Sequence, residues 1–241
     1  MRATVVLLAN ELFPLTISDM PTIGVCALQG AFREHIEMLA GLDTPDLHVI
    51  EVRDVSCLAS LDGLIIPGGE STSMRTIAEL DGFLPALKRF VDSGKPCWGT
   101  CAGCILLSDR VSLALGGGHL DSHNDMSLDS TVPGVVGGLP IVTCRNYFGR
   151  QLQSFQTVTS GDGIFTDFSA VFIRAPAIAK VSPGVQVLAT VLDERVIVAV
   201  RKDNILATCF HPELSNDNRI HRYFISMLVR YTVFVSNSTG Y

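Results

Sequence analysis

Cys101 stands in Gly99-Thr100-Cys101-Ala102-Gly103, where an apolar run gives way to a helical pattern. Lys95-Pro96-Cys97-Trp98 leads in as a strand, and Cys104-Ile105-Leu106-Leu107 continues beyond it as a helix. Glycines at 99 and 103 allow a tight turn and close approach of neighbouring elements. A cysteine at such a turn suits nucleophilic attack, because the positive end of the helix favours a thiolate and the Ala102 N–H faces any oxyanion formed on an attacked carbonyl. A buried structural cysteine on a strand-to-helix turn would read the same from these five residues alone.

A thiolate nucleophile needs a base that holds and returns a proton, and the base needs an orienting partner. His211-Pro212-Glu213 offers both. The proline biases His211 toward an extended conformation, in which residues two apart face the same way, so Glu213 can hold one ring nitrogen while the other faces Cys101. The alternative is a strand end with an exposed histidine and an incidental glutamate. Pro67-Gly68-Gly69-Glu70-Ser71-Thr72-Ser73 follows Leu64-Ile65-Ile66. Its glycines can turn an N–H inward as the second half of an oxyanion hole, with Ser71 to Ser73 capping the next helix, although a plain turn has the same composition.

Each of these motifs ends an apolar run, which is where open α/β sheets carry their sites. Residues 22–28 read as a strand buried on both faces, followed by a helix with Phe32, Ile36, Leu39 and Ala40 on its apolar stripe and Gly41 as its stop. Residues 47–52, 62–66 and 95–98 are further strands with helical segments between the later pairs. This alternation predicts an α/β fold: a single domain with a central, mostly parallel sheet flanked by helices on both faces. Residues 113–138 read as a long mobile loop. Beyond it, residues 139–144, 152–159, 170–173, 185–191, 195–200 and 205–210 are strand-like, and residues 218–229 close the domain as a helix.

The 241 residues are 47% hydrophobic and 17% charged, enough to bury the core of one domain. A net charge of −6 without a basic cluster gives no electrostatic support for nucleic-acid binding. Seven cysteines, an odd number scattered through apolar segments, suit reduced thiols and a cytoplasmic location. Arg2 and the apolar residues after it have the outline of a short signal sequence, but a clear cleavage site is missing and the run is too short to span a bilayer. Residues 1–21 therefore read as an N-terminal extension, 22–232 as the domain and 233–241 as a tail.

With Gly-Thr-Cys-Ala-Gly, Pro-Gly-Gly-Glu-Ser-Thr and His-Pro-Glu in that order, the chain resembles class I glutamine amidotransferases. The resemblance is closest to the family of glutaminase subunits of pyridoxal 5′-phosphate synthase. It rests further on Leu28-Gln29-Gly30-Ala31-Phe32-Arg33-Glu34-His35, on Arg145-Asn146-Tyr147-Phe148-Gly149-Arg150-Gln151 with Ser154-Phe155, and on Phe172-Ile173-Arg174-Ala175-Pro176. It spans about residues 22–232. The resemblance implies Cys101 as nucleophile, His211 as acid and base, Glu213 as its orienting partner, and Gly69 and Ala102 as oxyanion donors. It implies L-glutamine bound by Gly69, Glu70, Ser71, Arg145, Ile173 and Arg174. A guanidinium suits the α-carboxylate of a free amino acid, though a surface ion pair is the commoner use of each arginine. A (β/α)-barrel synthase partner is implied as the receiver of ammonia, and the glutaminase step needs no cofactor.

His119, Asp121, His123 and Asp125 fall in the loop and read as polar loop residues rather than a metal site. Cys104 completes Cys-x-x-Cys with Cys101, but no thioredoxin-like strand order accompanies it. The rival readings are another cysteine hydrolase on the same scaffold, such as a γ-glutamyl peptidase, and a catalytically silent subunit.

Overall fold

In the computed structural model, residues 4–8, 11–15, 21–44, 47–112, 131–148, 154–192 and 195–238 are described. Strands β1 (Thr4–Leu8) and β2 (Glu11–Leu15) form an antiparallel ladder of their own. The α/β half follows: β3 (Thr22–Cys26), α1 (Phe32–Ala40), β4 (His48–Val52), β5 (Gly63–Ile66), α2 (Ser71–Ala78), α3 (Phe83–Asp92), β6 (Cys97–Thr100) and α4 (Ala102–Leu107). Then come β7 (Ser108–Ser112), β8 (Thr131–Pro133), β9 (Leu139–Cys144), β10 (Phe155–Val158), β11 (Ser160–Gly161), β12 (Ser169–Phe172), β13 (Ala177–Val181), β14 (Gln186–Val191), β15 (Val196–Lys202), β16 (Ile205–Thr208) and α5 (Arg219–Ser238).

The site depends on five adjacent parallel strands in the order β4-β3-β5-β6-β16. All four residues of β5 and of β6 are buried, as continuous apolar strands covered on both faces require. In register, Ile66 lies opposite Gly99, and Thr100 opposite Thr208. Because the strands run the same way, the segments after Ile66, Thr100 and Thr208 emerge at one rim. Three motifs far apart in sequence are thereby delivered to one place.

Past β16 the twelve-stranded sheet continues through antiparallel β15, β13 and β9 to β7 and β8. Helices α1 and α5 meet through His35 and His221, whereas α2 contacts both α3 and α4. The largest buried side chains include Trp98, Phe168, Phe172, Phe210 and Phe224.

Some boundaries differ from the sequence reading. Thr131–Pro133 pairs with β7 within the stretch expected to be loop, anchored where Arg110 Nε donates to Thr131 Oγ1 at 2.7 Å. Helix α5 runs to Ser238, past the expected helix end and into the expected tail. Residues 113–130, which include His119, Asp121, His123 and Asp125, lie outside the described residues.

Candidate active site

Cys101 follows β6 directly and has φ 47° and ψ −102°, a conformation that L-residues rarely adopt. Its N–H donates to Thr208 O at 2.8 Å and its carbonyl accepts from Ile105 N at 3.3 Å, so both sides of the turn are tied down. A β-carbon on Gly103 would fall 2.0 Å from Ile66 O, and one on Gly99 2.5 Å from the Gly103 carbonyl carbon. Close packing thus requires both glycines. As the first residue of α4, Ala102 has an N–H that helix geometry leaves without an intrahelical acceptor.

His211 is placed by β16 and by β12, whose Val171 O accepts the His211 N–H at 2.8 Å. Its Nδ1 lies 2.7 Å from Glu213 Oε1, and the ring stands close enough to the Cys101 sulfur for that sulfur to favour its protonated form. The contact between His211 and Glu213 is the expected one, but the path differs. Pro212–Leu214 is a single 3-10 turn that folds Glu213 back onto the ring, rather than an extended segment. Burial pulls the His211 imidazole down, yet the neighbouring Cys101 sulfur and the Glu213 carboxylate outweigh this and raise it to about 10. Burial alone would raise the Glu213 carboxyl, but His35 and His211 outweigh it and hold the group below the usual carboxylate range. The arrangement is a buried imidazole between a sulfur and a carboxylate.

The loop after β5 closes over this pair. A β-carbon on Gly68 would lie 2.4 Å from His211 Cε1 and 3.1 Å from Cys101 Cβ, which makes Gly68 a spacer within the site, a role that the motif alone does not assign to it. The doubled glycine was its signal. The Gly68 carbonyl accepts from Ala31 N at 3.0 Å, and Glu70 N–H donates to Gln29 Oε1 at 2.8 Å, so the turn between β3 and α1 backs the loop. Helix α2 is capped by Glu70, not by Ser71 to Ser73. Its carboxylate accepts from Thr72 N at 3.0 Å and from Ser73 N and Ser73 Oγ at 2.7 Å each, because a longer side chain reaches two free N–H groups at once. Desolvation is the largest single influence and raises the Glu70 carboxyl, but the bonds from Ser73 and Thr72 together outweigh it and lower the group to about 2.

Of the residues expected at glutamine, Glu70 and Arg145 meet. Arg145 Nη2 donates to Thr72 Oγ1 at 3.2 Å and lies 3.5 Å from Glu70 Oε1. Gly69 is exposed at the loop crest and Ser71 is buried at the start of α2. Ile173 and Arg174 are exposed just past β12, close in sequence to the Val171 carbonyl that holds His211, and Arg174 has φ 48°. Beneath the site, His35 Nε2 is 3.3 Å from Glu213 Oε2 and 3.2 Å from Thr100 Oγ1, while His35 Nδ1 is 3.0 Å from His221 Nε2. None of those three partners of the site was singled out for chemistry from the sequence.

No disulfide joins any of the seven cysteines, including Cys101 and Cys104. Among the described residues no group of three or more His, Cys, Asp or Glu side chains could hold a metal ion.

The SNO glutamine amidotransferase family model matches residues 25–230. The chain is 44% identical over 212 residues to pyridoxal 5′-phosphate synthase subunit PdxT of Dehalococcoides mccartyi (strain CBDB1), covering 87% of this chain and 98% of that one. It is 42% identical over 235 residues to probable pyridoxal 5′-phosphate synthase subunit PDX2 of Arabidopsis thaliana, covering 86% and 85%. A crystal structure of a glutamine amidotransferase superposes with a TM-score of 0.70 at 38% identity, covering 86% of this chain and 98% of that one. A GMP synthase protein from Thermoplasma acidophilum, at 18% identity and a TM-score of 0.58 over 90% of this chain and 98% of that one, shares the fold. A family match over most of the length, relatives above 40% identity and a thiol–imidazole–carboxylate row at one sheet rim agree: this chain belongs to the SNO glutamine amidotransferase family.

Proposed function

We propose that the chain hydrolyses L-glutamine to L-glutamate and ammonia through a thioester on Cys101, and passes the ammonia to a synthase subunit that makes pyridoxal 5′-phosphate. The observation that carries this reading is His211 held by Glu213 Oε1 at 2.7 Å and adjoining Cys101 across Gly68, where one β-carbon would meet His211 Cε1 at 2.4 Å and Cys101 Cβ at 3.1 Å. The Cys101 sulfur attacks the side-chain amide carbon, and the N–H groups of Gly69 and Ala102 hold the oxyanion. Protonated His211 gives its proton to the amide nitrogen, the C–N bond breaks and ammonia leaves. His211 then takes a proton from water as the oxygen attacks the thioester, and glutamate departs with the thiol restored. Glu213 keeps the imidazole oriented throughout.

Glu70, Ser71, Arg145, Ile173 and Arg174 form the substrate-binding set in this reading, with a guanidinium on the α-carboxylate. The partner is a (β/α)-barrel synthase subunit, a reading supported by relatives named as subunits of pyridoxal 5′-phosphate synthase. A reducing cytoplasm is the proposed location, since the nucleophile must stay a thiol. The test is glutamate release from glutamine, with and without the barrel subunit, for the parent chain and for Cys101→Ala. Partner-stimulated release that Cys101→Ala abolishes is the expected result. Release that survives in the variant, or turnover of γ-glutamyl peptides in preference to glutamine, overturns the reading.

A further inference from the structure

The segment from Gln29 to His35 backs the loop over Cys101, but the reaction as derived leaves His35 without a role. This ring is fully buried in α1 and lies against Glu213 on the side opposite His211. We infer that His35 is a positioning residue of the site: its Nε2–H steadies Glu213 Oε2, so that the carboxylate is gripped by one imidazole on each oxygen. The inference rests on the function proposed above.

Glu213 Oε1 is engaged by His211 Nδ1, whereas the fully buried Oε2 makes no well-aligned hydrogen bond. An unsatisfied buried carboxylate oxygen is costly, and His35 Nε2 stands 3.3 Å away. Thr100 Oγ1 is a second acceptor for the same N–H at 3.2 Å.

The tautomer follows from the neighbours. Burial lowers both His35 and His221 below the ordinary imidazole value, so each ring carries one proton near neutrality. If that proton were on His35 Nδ1, a nitrogen lone pair would face the Glu213 carboxylate and His221 Nδ1–H would be a buried donor without an acceptor. With the proton on Nε2, the N–H faces the carboxylate and His35 Nδ1 accepts from His221 Nε2–H across 3.0 Å. Only the His221 Nδ1 lone pair is then left over. The second arrangement carries one mismatch in place of two.

The ring has little freedom to choose otherwise. Trp98 packs edge-on at 5.3 Å between ring centroids, and His221 lies at 5.1 Å. The groups around His35 are Glu213 after β16, Thr100 and Trp98 on β6, His221 on α5 and Glu34 on its own helix, with His211 beyond Glu213. Without the His35 N–H, Glu213 protonates more readily, and a protonated Glu213 no longer stabilises the imidazolium.

The test uses the full chain with saturating barrel subunit, measuring glutamate release against pH for the parent, Cys101→Ala, His35→Leu and His35→Gln. His35→Leu is expected to lower kcat by about 10- to 100-fold, by analogy with the loss of outer partners of metal-ligating histidines and carboxylates, with KM nearly unchanged. The acid limb of its pH profile moves to higher pH. His35→Gln, whose amide N–H reaches the same oxygen, recovers most of the activity. A folded His35→Leu with parental kcat and acid limb overturns the proposal, as does equal loss in both variants with an unmoved acid limb. Should His35→Leu fail to fold, the ¹⁵N shifts of the parent decide: Nε2–H at His35 supports the proposal and Nδ1–H overturns it. If the parent itself releases no glutamate, or Cys101→Ala still does, the underlying glutaminase reading fails instead.

Discussion

Gly68 is the spacer between Cys101 and His211: a side chain there would meet His211 Cε1 at 2.4 Å, Nδ1 at 2.9 Å and Cys101 Cβ at 3.1 Å. His211 cannot retreat without lengthening its 2.7 Å contact to Glu213. Gly68→Ala is therefore expected to lower partner-stimulated glutamate release by about 100-fold or more, since a displacement of about 1 Å at reacting groups has effects of that size. Circular dichroism checks that the fold survives. Parental turnover in a folded variant would show that the loop yields more readily than its contacts imply.

Gly30 supports the same loop from behind. It has φ 98°, and a β-carbon on it would fall 1.9 Å from Gly68 O, the atom that accepts the Ala31 N–H. Gly30→Ala should lose about 1–3 kcal/mol of stability from the backbone conformation alone, with the steric clash adding to it. Denaturant titration measures this, and an unchanged midpoint would refute it.

The raised pKa of His211 has a consequence for stability. A histidine raised from 6.5 to about 10 contributes stability that is fully present below 6.5 and is lost as pH rises through about 10. The neighbouring Cys101 sulfur is the largest of the influences that raise it. The melting temperature of the parent should fall between these pH values, and Cys101→Ala should show a shallower fall. Parallel curves for the two proteins would contradict the assigned thiol–imidazole contact.

The site was legible in the sequence to the extent that it lies at the ends of parallel strands. Cys101, His211 and the glycine pair at 68 and 69 each follow an apolar run, and the rule that such runs end at one rim is independent of distance in the chain. His35 was not legible because it sits amid the apolar stripe of α1, and its partners Thr100, Glu213 and His221 come from three other elements. The polar Ser108–Ser112 and the proline-ended Thr131–Pro133 lack a strand pattern of their own. They become strands through pairing with each other, and Ser108–Ser112 also through pairing with Leu139–Cys144, a tertiary effect that local propensity does not carry. Likewise, α2 takes its cap from Glu70 rather than from the serines and threonine after it.

Arg145 distinguishes substrate recognition from surface pairing. Its contact with Glu70, 3.5 Å long between side chains 40% and 48% exposed, is of a kind that contributes only about 0–1 kcal/mol. Glu70 is already satisfied by the N-terminus of α2, so the guanidinium keeps donors for a carboxylate arriving from solvent. Lysine preserves the charge but not the paired donors. Arg145→Lys is accordingly expected to raise KM for glutamine by about tenfold or more, the loss of a charge-assisted hydrogen bond, with kcat and melting temperature nearly unchanged. A lowered melting temperature with parental KM would assign Arg145 to the ion pair with Glu70 and remove it from the glutamine-binding set.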